Sequence, residues 1–418
     1  MDIAIIGTGI SGLGVAYLLH NHHNITVYEK NDYIGGHSRT MDVITNDGAI
    51  AVDTGFIVFN RRNYPLLCGL FKHLNVPIIE SNMSFGVSID QGRLEYGTLR
   101  PHYLFSQRRN LLRPSFWRML ADILKFNRRA RVYLQKDPAI TLGQCLDELG
   151  LGLWFRDYYL LAMGGAIWST PLQDMLSFPA QTFVRFFENH GLLTVTDQPQ
   201  WYTVKGGSRE YVKRLTTSFR DCIALGHGVE RVVRHDGGVD IHDSQGLSRC
   251  YDQVIFACHA DQALAMLENA NDRERNILSA FQYQKNTAYL HSDTTLMPRR
   301  KQAWSSWTYL QQQRTDRRPG ISLSYWMNNL QALNTNTPII VTLNPAEPSA
   351  SALTYDRHVF EHPLFTRKAI AAQQALPQIQ GTNRTWYCGA YQRYGFHEDG
   401  LLSAVNVAKQ LGASIPWT

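Results

Sequence analysis

The residues best suited to chemistry open the chain. Gly7, Gly9 and Gly12 stand in Gly-x-Gly-x-x-Gly spacing with Ile10 and Ser11 between them, and Glu29 follows about 20 residues later. This set can hold a dinucleotide. Gly7 permits a tight turn, Gly9 lets the backbone approach a diphosphate, and Gly12 lets a helix pack close to a strand. The carboxylate of Glu29 can accept hydrogen bonds from ribose hydroxyls.

Three elements must position these groups. Ile3-Ala4-Ile5-Ile6 is a short apolar run that stops at the glycines, Leu13 to Leu19 follows with helical small-residue spacing, and Ile25-Thr26-Val27-Tyr28 ends at Glu29. Strand, glycine turn, helix, strand and acid come in the order of a nucleotide-binding βαβ unit. The helix start adds free N–H groups and a positive dipole end facing the phosphates.

The rest of the chain supports a cored enzyme-sized protein. It has 418 residues, 44% hydrophobic and 18% charged, which predicts two or three domains and no extensive disorder. Its six cysteines include no CxxC pair, which predicts reduced thiols and a cytoplasmic setting. The apolar residues near Met1 belong to the nucleotide unit and do not read as a signal peptide, and no run of 18 apolar residues predicts a membrane span. The net charge of +6 is unevenly spread. Residues 107–131 carry Arg108, Arg109, Arg113, Arg118, Lys125, Arg128, Arg129 and Arg131 against the single acid Asp122, interleaved with Trp117, Phe116, Leu120, Leu124 and Phe126. That pattern is either a solvated helical cap or a peripheral contact with an anionic membrane inner face. No nucleic-acid-binding fold accompanies it. The His20-Asn21-His22-His23 run lies at a helix end, where imidazoles suit the dipole, so no metal site is expected.

Further along, Asn46-Asp47-Gly48 and Asp90-Gln91-Gly92 predict two hairpins. Residues 98–200 read as mostly helical. Trp201–Val204, Gly228–Val233 and Tyr251–Cys258 read as strands, and residues 270–380 as an aromatic-rich sheet. Thr385–Gly389 reads as a strand, Tyr391 to Asp399 as a loop, and Gly400 to Lys409 as a final helix.

After Glu29 comes Lys30, then Gly35-Gly36-His37-Ser38-Arg39-Thr40. This second glycine pair after the second strand resembles the flavoprotein amine oxidase superfamily, which has a Gly-Gly-Arg-x-x-Thr/Ser segment around the FAD diphosphate. Gly35, Gly36 and Thr40 match, and His37 stands in place of the arginine, with Arg39 as the candidate for the missing charge. The resemblance implies an α/β protein with a Rossmann-type, GR2-like FAD-binding domain (1–80, 201–270 and 381–418). A discontinuous α+β substrate domain would take 81–200 and 271–380. It implies FAD contacts by Gly7, Gly9, Ile10, Ser11, Gly12, Glu29, Lys30, Gly36, His37, Arg39 and Thr40, and by Gly55 and Phe56 beside the flavin. Val229 would meet the adenine edge, and Gly389, Leu401 and Leu402 would meet the N1 side of the ring. By the same resemblance Tyr391 and Tyr394 would form an aromatic cage, His397 would relay a proton, and Lys205 would approach N5 through a water.

Only one complete Gly-x-Gly-x-x-Gly unit is present, which argues against a separate NAD(P)H site. Gly-Gly-His, Tyr325-Trp326-Met327-Asn328-Asn329-Leu330-Gln331 and Val341-Thr342-Leu343-Asn344-Pro345 resemble the flavin half of plant cyclopropane fatty-acid synthases. That likeness implies a lipid substrate and a desaturase or isomerase reaction. Two alternatives stand beside it: an amine or polyamine oxidase, and a flavin-bearing partner of a lipid-modifying methyltransferase without turnover of its own.

Overall fold

The computed structural model describes residues 1–137, 139–168, 175–189, 191–194, 198–313 and 319–417. Its first layer is a parallel sheet of five strands in the order Ile223–Leu225, Asn24–Glu29, Asp2–Ile6, Gln253–Phe256 and Thr385–Tyr387. Side chains alternate across a strand, so Ile3 and Ile5 face one core and Ala4 and Ile6 the other. Both faces are covered, which is why these strands read as unbroken apolar runs rather than alternating ones.

On the first face lie the helices Ile10–Leu19 and His397–Gln410. They approach closely because the first is built from small residues. A Cβ on Gly14 would lie 2.9 Å from Leu401 Cδ1, and one on Gly400 would lie 2.8 Å from Ile10 Cγ2. The other face packs against Ala260–Met266, Asp272–Leu278 and Arg367–Ala375.

The second layer is a mixed sheet of seven strands. Their order is Thr354–Leu364, Gln282–His291, Ile340–Leu343, Pro319–Trp326, Trp307–Gln313, Phe85–Ile89 and Leu94–Gly97. Among the described residues, only Trp307–Gln313 and Phe85–Ile89 run parallel in this sheet. Helices from the 98–200 stretch, including Pro114–Arg129, Leu142–Glu148 and Ala180–Asn189, bury Phe116, Met119, Phe126 and Phe183 against Val87 and Tyr309 of this sheet. Of that stretch, residues 138, 169–174, 190 and 195–197 lie outside the described residues. Both expected hairpins form, as Thr40–Thr45 with Gly48–Asp53 and as Phe85–Ile89 with Leu94–Gly97.

The last helix departs from expectation. It begins at His397, not Gly400. Asp399 lies inside its first turn and accepts from the Tyr394 and Phe396 amides at 3.2 and 3.0 Å. Glu398 reaches across to cap a different helix, Pro65–His73, accepting from the Leu66 and Leu67 amides at 2.9 and 3.0 Å.

Candidate functional site: the dinucleotide crevice

The crevice is framed by the carboxyl ends of the parallel strands. Gly7 has a φ of +109° and its missing Cβ would lie 2.8 Å from the Ala257 carbonyl oxygen, so the turn sits hard against the neighbouring strand. A Cβ on Gly12 would lie 1.9 Å from the Gly7 oxygen. Gly9 is different. A Cβ there would meet nothing within 4 Å, and the helix it opens has no side-chain cap. The first-turn amides of Ile10 and Ser11 therefore face open space with no intrahelical partner. Gly36 closes the far side, its missing Cβ 3.0 Å from Gly9 Cα. An open, uncapped helix start facing a second glycine turn is a cradle that fits a diphosphate.

Glu29 is buried at the end of its strand. It accepts from the Thr8 amide at 3.1 Å, from the Thr8 hydroxyl, and from the Asn31 amide and side chain at 2.9 and 2.7 Å. Beside it the backbone of 226–228 pairs back, with His227 N donating to Glu29 O at 2.9 Å and Gly226 N donating to Asn31 O at 3.1 Å. The exposed Lys30 and the half-buried Val229 border this groove, where an adenosine would lie.

Toward the other end, Gly55 passes under the His37 carbonyl, 2.1 Å from where its Cβ would be, and Phe56 N donates to His37 O at 2.8 Å. Only glycine fits at 55. Asp53 is wholly buried and ties the layers together. It accepts from Thr40 Oγ1 at 2.6 Å, Ser208 N and Oγ at 2.8 Å, and Gln331 Nε2 at 2.8 Å. Burial pushes its carboxyl up to about 6. Thr40 is thus engaged by Asp53. At the start of the last helix, Ser11 Oγ donates to Gly400 O at 3.0 Å, and Gly389 N donates to Ser403 Oγ at 2.8 Å. Leu401 is buried against Gly14, and Leu402 is half-buried. Two helix N-termini, of Ile10–Leu19 and His397–Gln410, therefore converge on one crevice, where both dipoles favour anionic groups.

Several expected residues are placed otherwise. Arg39 does not supply a free charge, because its guanidinium holds Asp356 at 2.6 and 3.2 Å. Lys205 is exposed on the turn after Trp201–Val204, and it is Ser208 of that turn that reaches inward to Asp53. Tyr391 and Tyr394 form no ring pair. Tyr391 packs edge-on to Phe281 at 4.8 Å behind the parallel sheet, whereas Tyr394 packs near Phe186 in the helical layer. His397 is stacked on Phe56 at 3.8 Å, with its Nε2 2.9 Å from Ser38 Oγ and 3.1 Å from Tyr211 OH. Burial pulls this imidazole down to about 3, so it is a neutral hydrogen-bonding group.

Sequence reasoning missed His259, His358 and His362, which gather around His37. The alternation Asp356, His358, Phe360, His362 on one face of Thr354–Leu364 was the available signal, since every second residue of a strand shares a face.

Comparison with known proteins agrees with this geometry. A family model described as flavin containing amine oxidoreductase matches residues 10–282. AofH of Mycobacterium tuberculosis, assigned as a flavin-containing monoamine oxidase, is 25% identical over 261 residues, covering 59% of this chain and 54% of its own. The chain thus spans about half the length of that curated relative. Among solved structures, the CLA-producing fatty acid isomerase from P. acnes superposes with a TM-score of 0.70 at 15% identity, over 98% of both chains. A putrescine oxidase variant gives 0.69 at 14%, again over 98% of both. The cradle at Gly9, the carboxylate of Glu29 and the family match together place this chain, with its α/β fold, in the flavin containing amine oxidoreductase family.

Proposed function

We propose that this protein uses FAD to oxidise or isomerise a long apolar acyl chain, free or within a phospholipid, acting at a membrane surface. The observation that carries the reading is the outer face of the helical layer. Leu111, Leu112, Trp117, Leu124 and Val132 are 48, 86, 49, 55 and 60% exposed. They lie among exposed Arg108, Arg109, Arg118, Arg128, Arg129 and Arg131. Water alone would not favour such a surface, but an anionic lipid interface accepts both its apolar and its cationic parts. No helix among the described residues is long and apolar enough to cross a membrane, so the contact would be peripheral.

The interior is compatible with an apolar chain. Trp307, Tyr309 and Tyr325 stand on adjacent strands, with Trp307 and Tyr325 edge-to-face at 5.4 Å. Trp307 Nε1 and Tyr309 OH are buried without hydrogen-bond partners among the described residues. Bound FAD supplies the hydride acceptor at N5. The chain's own residues would hold it: the first-turn amides after Gly9 at the diphosphate, Glu29 at the ribose, and the start of His397–Gln410 at the pyrimidine edge of the ring. There the helix N-terminus would favour negative charge by about 0.3–2 kcal/mol.

An amine oxidase is the second reading, favoured by the family and by relatives named for monoamine and putrescine. The separation of Tyr391 from Tyr394 weighs against it, because an aromatic cage needs two facing rings. Anaerobic mixing with acyl lipids and with an amine panel decides between them. Flavin bleaching or a shifted double bond with lipid supports the first reading, and bleaching only by amines sinks it. Neither, with stable binding to a lipid methyltransferase, would leave the non-catalytic partner.

A further inference from the structure

Histidines from three segments meet above the Gly35–His37 turn. The ring of His37 lies 5.5 Å from that of His362 and 6.5 Å from that of His259. Among the described residues neither ring nitrogen of His37 has a hydrogen-bond partner, although it is one residue from Gly36 and so from the Gly9 cradle. His259 stacks on Tyr283 at 4.1 Å, and its buried Nδ1 makes no hydrogen bond, lying 3.5 Å from Glu361 Oε2.

His362 is held in one tautomer. The Thr287 backbone N–H donates to Asn344 Oδ1 at 2.9 Å, Asn344 Nδ2 donates to Asn286 Oδ1 at 2.7 Å, and Asn286 Nδ2 donates to His362 Nδ1 at 2.8 Å. A backbone amide can only donate, so both side-chain amides are fixed in orientation and Nδ1 must accept. His362 is therefore neutral with its proton on Nε2, in line with burial pulling it down to about 4.

We propose that this imidazole cluster receives the diphosphate of FAD where relatives use arginine, with His362 as a fixed neutral Nε2–H donor and His37 with His259 taking up the countercharge as a proton. The need for a countercharge follows from the other groups facing the cluster. Arg39 is neutralised by Asp356, and Lys30 and Lys285 are exposed on its rim. Asp261 and Glu361 lie beside His259, and Tyr33 and His358 lie beyond, against Arg39 and Phe360. His397 is neutral. Burial and the neighbouring imidazoles hold His37 far below its ordinary value, and burial lowers His259. An anion in contact raises both.

The sign follows directly. The bound-state value lies above the free-state value, so FAD binding takes up a proton and affinity weakens as pH rises between the two, by about tenfold per pH unit. The test follows FAD release from the holoenzyme by free-flavin fluorescence between about pH 5.5 and 8, the range in which imidazoles titrate. The wild type should show that slope over part of the range, and riboflavin, which lacks the diphosphate, should not. His37→Gln should flatten it. His37→Arg should flatten it and bind FAD about tenfold or more tighter at the alkaline end, since a permanent cation replaces one that is lost. Calorimetry in two buffers of different ionisation enthalpy reads the proton count on the wild type alone. A flat wild-type profile with no proton uptake overturns the proposal, as does an unchanged slope in a His37→Gln/His259→Gln double variant. Absence of FAD binding at every pH would instead overturn the cofactor assignment on which this rests.

Discussion

Replacing Gly9 with alanine separates fold from cofactor. The backbone at Gly9 has φ −66° and ψ 178°, a conformation open to any residue, and the added methyl would meet nothing within 4 Å. The apoprotein should therefore fold with near wild-type stability, because the gain of about 0.4–1 kcal/mol from a less flexible unfolded chain is offset by the poorer N-cap that alanine makes at this position. The methyl would, however, project into the open space beside the helix start assigned to the diphosphate. Net contributions of hydrogen bonds to charged groups are about 1.5–3 kcal/mol each. Losing two costs about 3–6 kcal/mol, a weakening of FAD binding by roughly 10²–10⁴-fold. Gly12→Ala is the contrasting variant, because its Cβ would lie 1.9 Å from a backbone oxygen and must disrupt the fold itself. The assay pairs thermal melting of FAD-free protein by circular dichroism with FAD affinity by fluorescence quenching. Wild-type FAD affinity in Gly9→Ala would show that the diphosphate does not lie against Gly9, and a loss of apoprotein stability as large as that of Gly12→Ala would show that Gly9 serves the fold.

Three further outcomes are expected. Arg234→Ala should destabilise by about 3–5 kcal/mol in urea unfolding, since it strands the fully buried Glu274 that Arg234 grips through both oxygens. Asp53 has a folded-state value of about 6 against 3.8 ordinarily, so the protonated form is favoured by folding. Relative to Asp53→Asn, the wild type should then lose up to about 3 kcal/mol as pH rises from about 4 to about 6 and stay level above, and a stability gain over that range would contradict the burial argument. Leu112→Asp with Trp117→Ser should abolish sedimentation with anionic vesicles at unchanged melting temperature, whereas unchanged sedimentation would return this surface to solvent exposure alone.

What the sequence disclosed was local. The turn at Gly7, Gly9 and Gly12 and the acid at Glu29 depend on neighbours within a few tens of residues, and their spacing announces them. Arg39 is engaged by Asp356, 317 residues away, and no local pattern indicates that pairing. His397 lies inside the last helix because Asp399 caps it locally, through the Phe396 amide, whereas the capping of a second helix by Glu398 spans 332 residues and has no local signal. Tyr391 and Tyr394 are three apart in sequence but face different cores, since the turn between them rotates one ring behind the parallel sheet. The histidine cluster needed both the strand alternation of 356–362 and the knowledge that this strand crosses above Gly36.

The central claim is that a flavin lodged in this crevice exchanges hydride with an acyl chain. The most direct measurement is the anaerobic visible spectrum of the purified holoenzyme during rapid mixing with unsaturated phospholipid vesicles. The flavin bands should bleach, transiently if the hydride is returned to the lipid. A colourless protein, or a flavin that no acyl lipid reduces while an amine does, would contradict it.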